Sequence, residues 1–233
     1  DWGGLVLLGS APINAGAEGN IEGMEASTLS AFGGTDAAHD CGHLSYARIE
    51  FAGFTFGTDN ELNGLTLGAC GSATSIDHVQ VHKGKDDGIE IFGGSPNLHH
   101  IVISQPTDDG FDWDMGFAGK VQFLIVQQNA SAGDKGFEGD NLKDNVDAAP
   151  RSRPTIFNAT LVGSNQNAEQ TGLHLRRGTG ALISNSIVTA FLAGGADLDG
   201  APVSSLVDAG TLTVQNSDFF GNGDPQFDVD GSG

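Results

Sequence analysis

Basic residues are scarce in this sequence: ten Lys and Arg stand against thirty Asp and Glu in 233 residues, a formal net charge of −20. That balance argues against nucleic acid as a partner, because phosphate recognition rests on Lys and Arg, and it favours divalent cations or cationic surfaces. Cysteine is rarer still, with only Cys41 and Cys70, and there are two Trp and one Tyr. No apolar run approaches the ~20 residues of a membrane-spanning helix. Heptads, helical repeats and runs of like charge are also missing, so a helix is expected only as an end cap. The chain opens at Asp1-Trp2-Gly3-Gly4 without a signal peptide and closes on a linker-like Asp228-Val229-Asp230-Gly231-Ser232-Gly233. The expectation is a processed or excised piece of a longer protein.

Glycine is abundant, at 36 residues, and the apolar residues fall in short segments. Without a strict triplet period, such glycine use points to the turns of a β-solenoid rather than to collagen or disorder. One phrase occurs three times: Asp86-Asp87-Gly88-Ile89-Glu90, Asp108-Asp109-Gly110-Phe111-Asp112 and Asp134-Lys135-Gly136-Phe137-Glu138, with the glycines 22 and then 26 residues apart. A unit recurring at that interval buries its core only against neighbouring copies. The chain is therefore expected to form a single domain over 1–233, with an irregular first coil (1–40), regular coils (41–222) and a tail (223–233).

A second register starts at Leu44. The segments 44–49, 76–81, 98–103, 121–126, 156–161, 183–188 and 214–219 align with apolar or small residues mostly at their first, fourth and sixth positions. Those are the inward sites of a strand that bends after its first residue. The third position reads Tyr46, His78, His100, Phe123, Asn158, Asn185 and Asn216, and the three asparagines suggest a ladder of side-chain amides. Excursions are expected at 129–133, 142–154 and 193–210, where solenoids usually place binding specificity. Cys41 and Cys70 lie about one coil apart, so a disulfide between neighbouring coils and an oxidising compartment are expected, the alternative being two buried thiols.

The phrases Trp2-Gly3-Gly4-Leu5-Val6-Leu7-Leu8-Gly9, Asn63-Gly64-Leu65-Thr66-Leu67-Gly68, Asp86-Asp87-Gly88-Ile89-Glu90-Ile91-Phe92-Gly93-Gly94 and Phe111-Asp112-Trp113-Asp114 carry a resemblance. The chain resembles the right-handed parallel β-helix proteins of the pectate-lyase-like fold, and within them a group of secreted bacterial surface proteins and lipoproteins of poorly defined function. The resemblance spans nearly the whole chain. It implies an all-β, right-handed parallel β-helix (a single-stranded β-solenoid) of about eight coils, secreted or on the cell surface.

Aligning Gly64, Gly88, Gly110, Gly136 and Gly172 places an apolar residue inward after each glycine and stacks the outward ones. One outward column reads Thr66, Glu90, Asp112, Glu138, His174; the next reads Gly68, Phe92, Asp114, Asp140, Arg176. A third, at the turn, is Asp86, Asp108, Asp134 beside Asp87, Asp109, Lys135. Like charges one strand spacing apart repel by ~1 kcal/mol per pair even at water's dielectric. Bound Ca²⁺, raised pKa values or the basic residues at one end of the columns would each relieve this. Ca²⁺ takes about six to eight oxygens in tolerant geometry, and pectate lyases, which the chain resembles, hold calcium through outward carboxylates on such a sheet. The expected metal set is Asp86, Asp87, Glu90, Asp108, Asp109, Asp112, Asp114, Glu138 and Asp140. The alternative is that these side chains cap their own turns and keep the surface soluble.

A catalytic reading is also open. Paired carboxylates such as Glu138 and Asp140 suit glycoside cleavage, and His174, Arg176 or Arg177 suit a lyase. The columns put Glu138 beside His174 and Asp140 beside Arg176, for which an intercoil ion pair is the plainer account. His78 and His100, with His99 alongside, could hold zinc, but no cysteine or carboxylate clearly completes a set, and stacked neutral histidines are expected. Asn129-Ala130-Ser131 and Asn158-Ala159-Thr160 fit the glycosylation sequon. Asp197-Leu198-Asp199-Gly200 and Asp228-Val229-Asp230-Gly231 resemble incomplete calcium loops. The sequence thus reads as a β-helix module with an acidic, calcium-binding face, in a structural or glycan-binding role toward a polysaccharide or other cell-surface component. The alternatives are a polysaccharide lyase or glycoside hydrolase, and a self-associating surface-layer or filament component.

Overall fold

The computed structural model describes residues 2–57 and 60–228. Its repeated phrases become parallel strands of one sheet, in the order Leu5–Leu8, Leu65–Gly68, Ile89–Phe92, Phe111–Asp114, Lys135–Gly139, Thr171–Leu175, Gly194–Leu198 and Phe227–Asp228. Leu65, Ile89, Phe111, Phe137 and Leu173 stand in a single inward column. The glycine opening each phrase has a steric cause. A Cβ on Gly110 would lie 2.6 Å from the carbonyl oxygen of Gly136 and 2.4 Å from Cγ1 of Val126; on Gly88 the same two contacts would be to Gly110 at 2.7 Å and Ile103 at 2.2 Å. Turn backbone therefore packs directly on the next coil and on the opposite sheet, where no side chain fits. Gly139 serves differently: its missing Cβ leaves room for the indole of Trp113, whose Cζ2 would otherwise be 2.3 Å away.

The second sheet is built from the register that begins at Leu44. His43–Glu50, Ser75–His82, Asn97–Ser104, Lys120–Gln127 and Thr155–Val162 are eight-residue parallel strands. The last two rungs are split into Ala181–Ser184 with Ile187–Thr189, and Leu212–Gln215 with Asp218–Phe220. Leu44, Ile76, Leu98, Val121, Ile156, Ile183 and Val214 pair in sequence across all seven rungs. One core cluster runs between the two sheets and includes Ile89, Phe111, Trp113, Leu98, Ile103 and Val126. Each such side chain contributes roughly 1.5–3 kcal/mol on burial, but only when both neighbouring coils are present.

The third position of each second-sheet rung is the bend itself. Tyr46, His78, His100, Phe123, Asn158, Asn185 and Asn216 all have positive φ, between 51° and 60°. This backbone is unfavourable for most side chains and well tolerated by Asn. That tolerance replaces the expected amide ladder, for among the described residues no hydrogen bond links Asn158, Asn185 and Asn216. The bonds expected of them are made one position later. Ala159 N–H donates to Ser186 Oγ at 3.2 Å, and Ser186 N–H donates to Ser217 Oγ at 3.1 Å.

Cys41 and Cys70 form the expected disulfide, with Cα atoms 5.6 Å apart. Two antiparallel pairs and a helix, among the described residues, lie outside the repeat. Phe54–Gly57 and Asn60–Leu62 form an antiparallel hairpin, and Gly19–Asn20 pairs antiparallel with Ala31–Phe32 inside the first forty residues. Among the described residues there is one α-helix, Ala201–Asp208, in the excursion at 193–210; it sits beside the terminal strand Leu212–Gln215 with Val203 buried. Among the described residues no helix is long and apolar enough to cross a membrane. Of the tail, residues 229–233 are outside the described part, and with them Val229, Asp230 and Gly231 of the second calcium-loop-like phrase.

Candidate functional site

The outward side of the first sheet is a cleft of about 870 Å³. Its floor is the acidic columns, while Glu22 from the N-terminal segment, Thr55 and Glu61 from the hairpin and Lys143 from the excursion after Asn141 stand around it. Register pairs Glu90 with Asp112, Asp112 with Glu138 and Glu138 with His174. The columns are therefore as the glycine alignment places them, but they are roofed rather than open. Glu90 is only 7% exposed, and Thr66, at the head of its column, is fully buried.

The turn acids divide their oxygens between the fold and the cleft. Asp87 N–H donates to Asn63 Oδ1 (3.2 Å), Asp109 N–H to Asp87 Oδ1 (2.9 Å) and Lys135 N–H to Asp109 Oδ1 (2.6 Å). One oxygen of each aspartate thus holds the next turn in the stack, which is the capping role weighed above. The carboxylates also come together. Asp87, Glu90 and Asp112 each offer a carboxylate oxygen to one point, all within 4.8 Å of one another, and so do Asp86, Asp87 and Asp108. Glu90 Oε2 accepts from Asn63 Nδ2 at 2.5 Å, whereas Asp112 Oδ1 is buried with no hydrogen-bond partner.

Among the described residues, no Lys, Arg or His forms a salt bridge with Asp86, Asp87, Glu90, Asp108, Asp109, Asp112 or Asp114. Burial, and after it mutual repulsion, pushes the carboxyls of Asp87, Glu90, Asp109 and Asp112 well above the usual range. Asp86 is raised to about 7 by burial and then by Asp108. Asp114 is also raised to about 7, by burial partly offset by its hydrogen bond from Met115 N–H. Asp108, the more exposed member of the turn column, rises only to about 6.

Two strands on, the same residue types are in a different state. Arg176 Nε donates to Asp140 Oδ1 at 2.9 Å, its Nη2 donates to Glu138 Oε2, and Arg177 Nη1 reaches Asp140 Oδ2 at 2.5 Å. His174 Nδ1 lies 3.1 Å from Glu138 Oε1, and its Nε2 lies 3.6 Å from Asp197 and 3.9 Å from Asp199. Burial pushes Glu138 up, but the His174 hydrogen bond and the Arg176 charge outweigh it and hold the carboxyl below its ordinary value. Arg176 is held firmly charged: burial works against this, but Glu138 and then Asp140 overcome it.

All nine sequence-predicted metal ligands line this cleft. Asp86, Asp87, Glu90, Asp108, Asp109, Asp112 and Asp114 have no salt-bridge partner among the described residues, while Glu138 and Asp140 have their oxygens occupied by Arg176, Arg177 and His174. Glu22 and Glu61 were not singled out by the sequence reading, since they come from segments without periodicity; Asn63 was in register, at the position of Asp87 and Asp109, but carries no charge to mark it. Asp197 and Asp199, from the calcium-loop-like phrase, approach His174 rather than one another's ligand set. Asp77 was also missed: its Oδ1 lies 3.0 Å from His78 Nδ1 and 2.9 Å from His100 Nδ1, supplying the carboxylate that the histidine pair lacked on paper.

Comparison with known families finds a match to the model described as a pectate-lyase-like beta helix domain, over residues 1–229. No curated protein and no solved structure matches the chain.

Proposed function

The chain belongs to the pectate-lyase-like β-helix domain family, and from that premise we propose that it is a secreted or cell-surface module whose acidic cleft binds Ca²⁺ and, through it, a polysaccharide. The observation that carries this reading is Asp112, whose Oδ1 is buried without a hydrogen-bond partner and which groups with Asp87 and Glu90 in a stretch without a salt-bridge partner among the described residues. Hard carboxylate oxygens at forgiving spacings are what Ca²⁺ takes, and a divalent ion there converts mutual repulsion into attraction. Asp87, Glu90 and Asp112 would hold the ion, with Asp86, Asp108, Asp109 and Asp114 available around it. When bound, Ca²⁺ supplies open positions for hydroxyl or carboxylate oxygens of a glycan. Lys143, Arg176 and Arg177 stand at the other end of the same cleft, where an acidic sugar meets positive charge. The disulfide fits an oxidising, extracytoplasmic setting.

A second reading, a glycoside hydrolase, is favoured by one observation: Asp114, raised to about 7, shares the cleft with Asp140, which is clamped by two arginines. A carboxylic acid whose pKa is raised toward neutrality, beside a second carboxyl group, is the pairing such enzymes use. Arg176 does not support a lyase base, because its carboxylate partners keep it charged. The two readings part on experiment. Chelator-stripped protein titrated calorimetrically with Ca²⁺ is expected to bind it, and retention on immobilised polyuronate or neutral glycans is expected only with Ca²⁺ present. Absence of Ca²⁺ binding, together with new reducing ends from any glycan of the panel, would replace the module with the enzyme.

A further inference from the structure

On the opposite sheet, the bends of neighbouring rungs stack four rings. Tyr46 lies over His78 (centroids 4.6 Å apart), His78 over His100 (4.3 Å) and His100 over Phe123 (4.9 Å), in near-parallel planes. The left-handed backbone at each bend holds the rings outward, and the flanking aromatics fix the two imidazoles between them. Asp77 stands immediately before His78 and aims a single oxygen at both. Only His100 Nδ1 meets it as a hydrogen bond, at 2.9 Å. His78 Nδ1, 3.0 Å from the same oxygen, is buried at that atom and has no hydrogen-bond partner. One oxygen thus serves two nitrogens, and one of the nitrogens is left unsatisfied at a place where the side chains are otherwise some 40% exposed.

We infer that Asp77, His78 and His100 form a second cation site, for a first-row divalent transition ion of the zinc class. The three donor atoms lie within 4.8 Å of one another. Ligand atoms ~2.1 Å from a tetrahedral ion stand ~3.4 Å apart, so bringing both nitrogens and the oxygen onto one ion requires the two imidazoles, now stacked at 25°, to tilt toward each other about their side-chain bonds. An ion there satisfies the orphaned His78 nitrogen and relieves the shared oxygen. Two imidazoles and a carboxylate suit Zn²⁺, Cu²⁺ or Ni²⁺, whereas the all-oxygen cleft suits Ca²⁺. The remaining positions of the ion face solvent and can take water or a further ligand. The ion would also tie the rung of Ser75–His82 to that of Asn97–Ser104.

The difference in ligand softness makes the site testable on the intact chain. With the cleft saturated by excess Ca²⁺, Zn²⁺ is titrated calorimetrically and the melting temperature is followed. The expected result is one equivalent of Zn²⁺ bound, with a raised melting temperature, and a visible absorption band when Co²⁺ replaces Zn²⁺. His78→Asn and His100→Asn are suitable probes, because Asn158, Asn185 and Asn216 already occupy the same bend with the same positive φ, so the fold tolerates the change. Each variant is expected to weaken Zn²⁺ binding by about tenfold or more, while Glu169→Gln, at an exposed position outside both sites, leaves it unchanged. Absence of Zn²⁺ binding by the wild-type chain would overturn the site. So would undiminished affinity in the His78→Asn/His100→Asn double variant, which would place the ion elsewhere.

Discussion

Two halves of one cleft carry the same residue types under opposite conditions. The strands Ile89–Phe92 and Phe111–Asp114, with the turns before them, gather seven carboxylates that, among the described residues, form no salt bridge with a basic side chain. The strands Lys135–Gly139 and Thr171–Leu175, with the loops that follow, gather Glu138 and Asp140 against His174, Arg176 and Arg177. Burial raises the carboxyls in the first half; in the second, local positive charge lowers Glu138 despite burial. An acidic column in a β-helix is therefore not one physical object. Whether it is a structural ion-pair ladder or a cation site depends on what the next coil supplies, and here the switch occurs between Asp112 and Glu138.

The largest expected effect comes from removing the positive charge of the second half. Arg176→Ala leaves Glu138 and Asp140 buried with one fewer cation each, and a loss of about 3–5 kcal/mol is expected in denaturant unfolding. A loss under about 1 kcal/mol would show that the pairing is solvated and that the two halves do not differ. Next is the ion itself. At about a hundredfold excess over its Kd, Ca²⁺ should add about 2.7 kcal/mol, read as a rise in melting temperature that a chelator reverses and that Arg176→Ala retains.

The pH dependence should split by sign. In the first half, Asp86 and Asp114 rise from 3.8 unfolded to about 7 folded. Their protonated forms favour the native state, so without Ca²⁺ stability is greatest below about pH 4 from this source and is lost as pH climbs to about 7. Glu138 works the other way: lowered from 4.5, it contributes stability above that value and loses it as pH falls through its folded pKa. Unfolding midpoints in chelator from pH 4.5 to 8 are expected to decline, and saturating Ca²⁺ should flatten the decline. A chelated protein that gains stability over this range would contradict the assignment of the first half.

Much of the fold was legible because the solenoid repeats its constraints. Gly88, Gly110 and Gly136 mark a recurring place in each coil where a Cβ cannot fit, and the alternation after them fixes which residues share a column. The registers read from Leu44 and from the glycines are the registers found. Position along the columns was readable; enclosure was not. Glu22 and Glu61 reach the cleft from a segment and a hairpin without period, so nothing in their local sequence announces them. Asp77 escaped notice for another reason: at an outward strand position it reads as ordinary surface, and only the bend at His78 brings its oxygen to both imidazoles. The asparagines of the second sheet show the opposite error, in which a recurrent polar residue suggested hydrogen bonding when the constraint was a left-handed backbone.

The smallest expected effect is also the most direct test. Asp112→Asn removes one charge from the buried trio and should, in chelator at neutral pH, stabilise the protein by about 1 kcal/mol through relief of repulsion. In Ca²⁺ the same variant should lose most of the melting-temperature gain that the wild type shows. A variant less stable than wild type in chelator, with its Ca²⁺ response intact, would mean that Asp87, Glu90 and Asp112 are not held together by a cation.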